Sequence, residues 1–137
     1  MKLKLLILVF ILIASAGAMA QTKPATNGYY FYRMPDTLNP YKYYLRFYND
    51  GTVITVTTAG KVEKLIPWFN KDHRGITKGK YTLKGSYISF YITSDAGQVD
   101  YEGELVNENL RQLKVKSRIN NYEGTEIYNF LKIEGLK

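Results

Sequence analysis

Apolar and polar residues alternate with a period close to two from Tyr41 onward, and this alternation is the feature that most constrains the fold. In residues 41–48 the odd-numbered positions hold Tyr, Tyr, Leu and Phe, whereas the even-numbered positions include Lys42 and Arg46. Successive side chains of a β-strand point to opposite faces, so the stretch predicts a strand with one buried face. Asn49-Asp50-Gly51 is typical of a hairpin turn, and residues 52–58 supply its partner strand.

The same pattern recurs along the chain, interrupted by turns rich in Gly, Asn and Asp. The predicted strands are residues 29–34, 41–48, 52–58, 80–84, 86–93, 98–106, 110–119 and 125–133. About eight short strands with tight connections favour an antiparallel up-and-down meander that closes, or nearly closes, into a small barrel. The predicted fold class is therefore all-β.

One segment between Gly60 and Gly79 departs from the alternation. Its apolar residues recur at the helical spacing i, i+3, i+4, i+7, at positions 62, 65, 66 and 69. Pro67 lies inside this pattern and predicts one helical turn, a kink and a second short turn. With Trp68 nearby, we expect this helical lid to cover one end of the barrel. A moving gate is the alternative.

Residues 1–20 have the three parts of a Sec signal peptide. Lys2 and Lys4 give a positive start, residues 5–13 are apolar, and Ala18-Met19-Ala20 is a small-x-small cleavage pattern. The apolar run is shorter than the ~20 residues that span a bilayer. We therefore expect cleavage after Ala20, a single domain over residues 21–137, and a periplasmic or secreted protein without a membrane span in its mature form.

Composition excludes several kinds of site. The chain contains no cysteine, which rules out disulfides, thiolate nucleophiles and cysteine-based zinc sites. Removing residues 1–20 leaves 17 of the 19 Lys and Arg residues against 12 Asp and Glu, a formal charge of +5. This excess favours an anionic partner such as an acidic glycan, a lipid headgroup or an acidic protein face. Nucleic acid is not expected as a partner of an exported protein.

The acidic residues Asp100, Glu102 and Glu104 share one face of a predicted strand and resemble paired catalytic carboxylates. A turn at residues 107–109, with residue 106 opposite residue 110, would place Glu102 opposite Lys114 and Asp100 opposite Lys116. Opposite charges across an antiparallel pair stabilise a sheet modestly. A glycosidase instead needs two carboxylates facing a cleft. The pattern therefore favours a solvated charge ladder.

The remaining residue types predict no catalytic site, metal site or cofactor. His73 is the only histidine and lies in the polar stretch 71–74, where we expect it at the surface. A single histidine cannot form a zinc site without further ligands, and no serine has the context of an activated nucleophile. No glycine-rich phosphate loop is present either.

Tyrosine is the most informative residue type, because all 13 tyrosines follow residue 20. Tyr43, Tyr81, Tyr101 and Tyr128 alternate in phase with apolar neighbours and are predicted to be in the core. The opposite phase is predicted to form an outward aromatic face, a candidate site for a ligand or partner, made of Tyr44, Arg46, Tyr48, Tyr87 and Tyr91. Outward tyrosines also simply suit strands, which is the alternative explanation.

Several short runs together resemble a known group of proteins. They are Tyr44-Leu45-Arg46-Phe47-Tyr48-Asn49-Asp50-Gly51-Thr52-Val53, Trp68-Phe69-Asn70, Lys78-Gly79-Lys80-Tyr81, Ile88-Ser89-Phe90, Val99-Asp100-Tyr101-Glu102-Gly103-Glu104 and Tyr128-Asn129-Phe130. In this order they resemble small, largely uncharacterised exported bacterial proteins of lipocalin-like β-barrel type, over roughly residues 41–133. The resemblance implies an exported bacterial barrel and brings no activity with it. Gly28-Tyr29-Tyr30 lacks the tryptophan of the lipocalin G-x-W motif.

The predicted function is that of an exported, non-enzymatic binding module, lipocalin-like, with an unknown small ligand, glycan or protein as its partner. The alternatives are an envelope-polymer hydrolase and a periplasmic inhibitor of a secreted hydrolase. The inward-facing residues are bulky, so we expect an interior that is largely filled, with any cavity small. Binding is therefore expected at the outer tyrosine face.

Overall fold

A computed structural model describes residues 22–136, and these residues form nine strands. The predicted signal peptide, residues 1–20, lies outside the described residues. The strands are β1 (Gly28–Arg33), β2 (Lys42–Phe47), β3 (Thr52–Thr58), β4 (Thr77–Lys84), β5 (Tyr87–Ser94), β6 (Gly97–Val106), β7 (Asn109–Ser117), β8 (Glu123–Ile127) and β9 (Asn129–Lys132).

The sheet is an antiparallel meander in a nearly closed barrel, as the alternation predicts. Each strand from β1 to β8 pairs with its neighbour in the chain, and β9 pairs with β1. The described strands number nine rather than eight, because the predicted last strand divides at Tyr128. Its first half, β8, pairs with β7, and its second half, β9, crosses to β1.

The core inside the barrel is built from one phase of the alternation. Tyr30, Leu45 and Val53 face inward on β1, β2 and β3, and each is at most 1% exposed. Phe47 lies at the centre, with its ring centroid 5.5 Å from that of Tyr30 and 5.6 Å from that of Phe90. The predicted core tyrosines Tyr81, Tyr101 and Tyr128 all pack in this cluster.

A second core lies on the outer surface of the barrel. Tyr29, Tyr44 and Ile54, which have the opposite phase on β1, β2 and β3, form a buried cluster with Leu65 and Phe69. The latter two come from the two short 3₁₀ turns Val62–Lys64 and Ile66–Phe69, which we call the outer segment (residues 62–69).

The prediction that this segment covers an end of the barrel was wrong. It does contain two short turns with Pro67 at the start of the second, as expected. Its buried residues contact the outside of β1–β3, because Tyr29, Tyr44 and Ile54 give that surface an apolar face of its own. Trp68 stays 50% exposed. Among residues 22–136, no helix is long and apolar enough to cross a membrane.

The two ends of the barrel differ. At one end, which we call the turn end, β2–β3, β4–β5 and β6–β7 are joined by tight turns. The stretch before β1 also lies here, because the Ala25 N–H donates a 2.8 Å hydrogen bond to the Tyr30 hydroxyl. That hydroxyl in turn donates to the carbonyl of Glu108, and burial raises the pKa of Tyr30 to about 12. The other end, the cup end, carries the longer connections β1–β2, β3–β4 and β7–β8.

The β6–β7 hairpin confirms the predicted register of the charged residues and corrects the turn, although the ion pairs that form are Arg118–Asp100 and Lys116–Glu123. Glu102 lies opposite Lys114 and Asp100 opposite Lys116. The turn contains two residues rather than three, with φ of 49° at Asn107 and 65° at Glu108, and it places residue 106 opposite residue 109. Both residues in the left-handed region are typical of a tight hairpin turn. A bulge between Gly103 and Leu105 absorbs the difference of one residue.

Candidate functional site

The cup end of the barrel contains two adjoining cavities. They have volumes of about 180 and 280 Å³. Both are lined by Tyr43, Val99 and Tyr101, so we treat them as one concave feature and call it the cup. Towards the turn end the interior is filled, as predicted, by rings such as Phe47 and Phe90. Towards the cup end it is not filled, which corrects the prediction of a filled interior. Ser117, Gly97 and three threonines of β3 and β4 are too small to fill this part of the barrel.

Tyrosines from five parts of the chain surround the cup. They are Tyr32 on β1, Tyr43 on β2, Tyr101 on β6, Tyr122 before β8 and Tyr128 between β8 and β9. Tyr32 and Tyr43 are a cross-strand pair with ring centroids 5.9 Å apart. The rings of Tyr32 and Tyr128 are also 5.9 Å apart. Alternation explains the convergence, since inward positions near one end of neighbouring strands meet in a barrel.

The only carboxylate among the described cup-lining residues is that of Glu126. Its place opposite Leu113 points it into the barrel, and it is 6% exposed. The Tyr128 hydroxyl donates a 2.6 Å hydrogen bond to Oε2. Burial raises the pKa of Glu126, and the hydrogen bond from Tyr128 opposes that shift. The site therefore combines a buried acid with aromatic walls.

The negative charge of Glu126 reaches the surrounding phenols. Burial is the main cause that raises the pKa of Tyr32, Tyr101 and Tyr122, and repulsion by Glu126 is the second. The pKa of Tyr128 is raised by burial and then by the same carboxylate. These phenols stay protonated near neutral pH and remain available as hydrogen-bond donors.

Gly124 is needed for the position of Tyr122. A Cβ atom at Gly124 would lie 2.6 Å from the Tyr122 hydroxyl oxygen, closer than two such atoms can pack. Tyr122 thus folds back over Gly124, two residues on, and lines the cup beside Glu126. The backbone N–H of Tyr122 also donates a 3.2 Å hydrogen bond to Oδ1 of Asn120.

The predicted outward residues of β2 are not an exposed face. Tyr44 is 3% exposed and Arg46 is 5% exposed, because the outer segment covers them. Arg46 donates a 3.0 Å hydrogen bond from Nη1 to the carbonyl of Phe69 and lies 4.4 Å from the ring centroid of Tyr48. The Tyr48 hydroxyl donates to the same carbonyl. The packing of Tyr44 and the hydrogen bonds of Arg46 and Tyr48 hold the outer segment against the barrel. The prediction of a free aromatic surface at Tyr44 and Arg46 was therefore wrong.

The other two predicted site residues, Tyr87 and Tyr91, are exposed on β5. They are 37% and 58% exposed. The Tyr87 hydroxyl donates a 2.6 Å hydrogen bond to Glu102, while Tyr91 lies between Lys80 and Asp100 on the neighbouring strands. Two strands, β3 and β4, separate β5 from β2. The five predicted residues therefore do not form one continuous stripe.

The remaining candidates lie outside the cup. Asp100 accepts a 3.2 Å hydrogen bond from Arg118 on the outer surface, consistent with a charge ladder. His73 is exposed, as predicted, with its ring 5.1 Å from that of Trp68. Over residues 22–136, no three His, Asp or Glu side chains are grouped closely enough to hold a metal ion.

Sequence reasoning missed Glu126, although a signal for it was present. Glu126 has the same parity as Gly124 and Tyr128, so a strand that points Tyr128 inward also points Glu126 inward. A carboxylate at an inward position is unusual, because buried acids are rare without a partner. That conflict between residue type and phase identifies the site.

Comparisons of this chain with protein families, with curated proteins and with solved structures found no match. The resemblance to lipocalin-like bacterial proteins therefore stays a prediction.

Proposed function

We propose that this protein is an exported, non-enzymatic binding module that takes one small ligand into the cup. The observation that carries the proposal is a concave, tyrosine-lined space at one end of the barrel with a buried carboxylate directed into it. Ligand sites are typically concave, with mainly apolar or aromatic walls and a few polar groups that fix orientation. The mouth of a barrel is a usual place for such a site.

The size of the cup supports a small ligand. Its two cavities, of about 180 and 280 Å³, together lie in the lower part of the ~300–1,000 Å³ range that is typical of small-molecule pockets. The tyrosine walls offer flat apolar area, and their hydroxyls can donate hydrogen bonds. A compact molecule with one polar group suits this lining better than a long lipid chain.

The number of carboxylates is our reason for preferring binding to hydrolysis. Cleavage of a glycosidic polymer by the usual route needs a pair of carboxylates about 5–10 Å apart. Among the described residues that line the cup, Glu126 supplies a single one. Inhibition of a secreted hydrolase is a further alternative, which would require a protein-sized surface rather than a cup.

Fragment binding followed by nuclear magnetic resonance tests this proposal. A library of small cationic, anionic and neutral fragments would be titrated into the isotope-labelled protein. We expect the largest chemical-shift changes at Tyr43, Tyr101 and Glu126. Changes centred on Tyr87 and Tyr91 would move the site to the outer surface of β5. Changes confined to neither region would contradict a small-ligand function.

A further inference from the structure

Glu126 lacks a cationic partner within the described part of the chain. The ion pairs formed by residues 22–136 involve Asp50, Asp100, Glu123 and Glu134, all of which are at least one-third exposed. Glu126 is more buried than any of them, yet its carboxylate receives only the hydroxyl of Tyr128. Buried charges in proteins are normally paired, because an isolated one is costly to remove from water. A cationic group beside Glu126 would supply the partner that its ionised carboxylate needs.

The walls around Glu126 attract positive charge as well. The face of an aromatic ring carries negative potential, and a cation within about 6 Å of the ring centroid is stabilised by it. Tyr43, Tyr32 and Tyr128 form a row in this order at one side of the cup, and the ring centroid of Tyr32 lies 5.9 Å from each of the other two. A group seated between this row and the carboxylate would meet both kinds of attraction.

We infer that the ligand of the cup is a small organic cation, a primary or quaternary ammonium compound whose charged group lies beside Glu126 and against the tyrosine rings. This inference rests on the proposed function and names the chemical class of its ligand. A metal ion fits poorly, since Ca²⁺ and Mg²⁺ require several oxygen ligands and the described residues offer no group of three acidic or histidine side chains. A compact ammonium compound needs only one carboxylate and aromatic contact.

Charge at Glu126 couples binding to pH. The titratable side chains that face Glu126 are all phenols. They are Tyr32 on β1, Tyr43 on β2, Tyr101 on β6, Tyr122 before β8 and Tyr128 after β8. Their raised pKa values keep Tyr32, Tyr101, Tyr122 and Tyr128 protonated near neutral pH, and the carboxyl of Glu126 is the acid whose charge changes with pH. An ammonium ligand prefers the ionised carboxylate. Its affinity should therefore rise as the pH increases through the raised pKa of Glu126.

Isothermal titration calorimetry with a matched pair of probes tests the inference. Choline chloride carries a quaternary ammonium group, and 3,3-dimethylbutan-1-ol is its neutral carbon counterpart of nearly the same shape. We expect choline to bind the unmodified protein at least about tenfold more tightly than the alcohol, a difference of about 1.4 kcal/mol. We also expect choline affinity to rise between about pH 5 and about pH 8.

Two substitutions on β8 complete the test. Glu126→Gln keeps the shape and the acceptor for Tyr128 but removes the charge, and should abolish the preference for choline over the alcohol. Glu123→Gln is the matched control, because Glu123 is exposed on the same strand with its side chain 57% accessible. It should leave both affinities unchanged. The comparison of the two probes on unmodified protein does not depend on the folding of either variant.

Equal affinity for choline and the alcohol would overturn the cationic class while leaving the cup as a binding site. Choline binding that survives Glu126→Gln would overturn the role given to the carboxylate. Failure of both probes would also overturn this inference. The proposed function would then stand or fall on the fragment experiment, which includes neutral and anionic compounds.

Discussion

Glu126 shows how one side chain can make stability depend on pH. Because burial raises its pKa in the folded protein, the folded state holds the proton to a higher pH than the unfolded state, where the pKa is near 4.5. Above that value the unfolded chain releases its proton first. Stability is therefore lost as the pH rises from the unfolded pKa through the folded one, with each tenfold difference in proton affinity equivalent to about 1.4 kcal/mol.

Glu126→Gln should remove this dependence. The amide oxygen still accepts the hydrogen bond from Tyr128, and no charge needs to be buried. We expect the variant to match the unmodified protein at low pH and to be more stable above neutrality, where the buried carboxylate is ionised. Chemical denaturation at a series of pH values measures this. A parallel dependence in the two proteins would mean that Glu126 has an ordinary pKa in the fold.

For single residues, the sequence predicts burial correctly where the strand position faces inward and the side chain is apolar or aromatic. Phe47, Phe90 and Tyr101 are apolar or aromatic and lie in the inward phase, and they are in the core. Glu126 has an inward phase and a polar side chain, so a search for outward carboxylates passed it over. Tyr44 and Arg46 failed for a different reason. Their outward phase was correct, but a distant segment of chain covers that surface.

Among the elements of the fold, the outer segment is packed firmly against the barrel. Phe69 is 1% exposed and stacks on Tyr29 with ring centroids 4.3 Å apart. Its carbonyl accepts hydrogen bonds from Arg46 and Tyr48. Helical spacing identified Leu65 and Phe69 as buried residues, whereas Ile66 is 45% exposed. Spacing within a segment also does not specify which surface of the barrel the segment contacts.

Phe69→Ala should therefore destabilise the whole barrel, by about 3–5 kcal/mol, since it opens a cavity in the outer core. Trp68→Ala is the control one residue away, because Trp68 is half exposed, and should change stability by about 0.5 kcal/mol or less. Urea denaturation followed by circular dichroism gives both values. A small effect of Phe69→Ala would favour a gate that detaches without unfolding.

The charge ladder between β6 and β7 is a second feature that depends on how two elements pair. Reversal of one charge by Glu102→Lys should cost about 1 kcal/mol or less, and adding Lys114→Glu should recover part of that loss. Recovery is expected to be partial because Glu102 also accepts a 2.6 Å hydrogen bond from Tyr87. A double-mutant cycle measures the coupling. Strictly additive effects would show that the opposed side chains do not interact.

The predicted register of this ladder held because it depends on parity. The predicted turn was one residue too long, because a bulge is invisible to a pattern of alternation. Gly103 permits the close approach there: a Cβ atom on it would lie 2.4 Å from the carbonyl oxygen of Gln112. The extra residue lies on β7, so Leu110 and Leu113 both face the core although one is even-numbered and the other odd-numbered.

For the whole molecule, export is a prediction from residues 1–20 alone. We expect the exported protein to begin at Gln21, following cleavage after Ala18-Met19-Ala20. Intact mass spectrometry of protein recovered from its host's periplasm or medium measures the N-terminus. A mature pool that retains Met1 would contradict the assignment of a cleavable signal peptide.

Native mass spectrometry of protein purified from its own host can show whether the cup carries the ligand. Val99 lines both cavities, so Val99→Trp should fill the space, whereas Tyr91→Ala alters only the outer surface of β5. Circular dichroism would verify that both variants fold. We predict a bound mass on the unmodified protein and on Tyr91→Ala, and its loss from Val99→Trp. A bound mass that persists in Val99→Trp and disappears from Tyr91→Ala would contradict the claim.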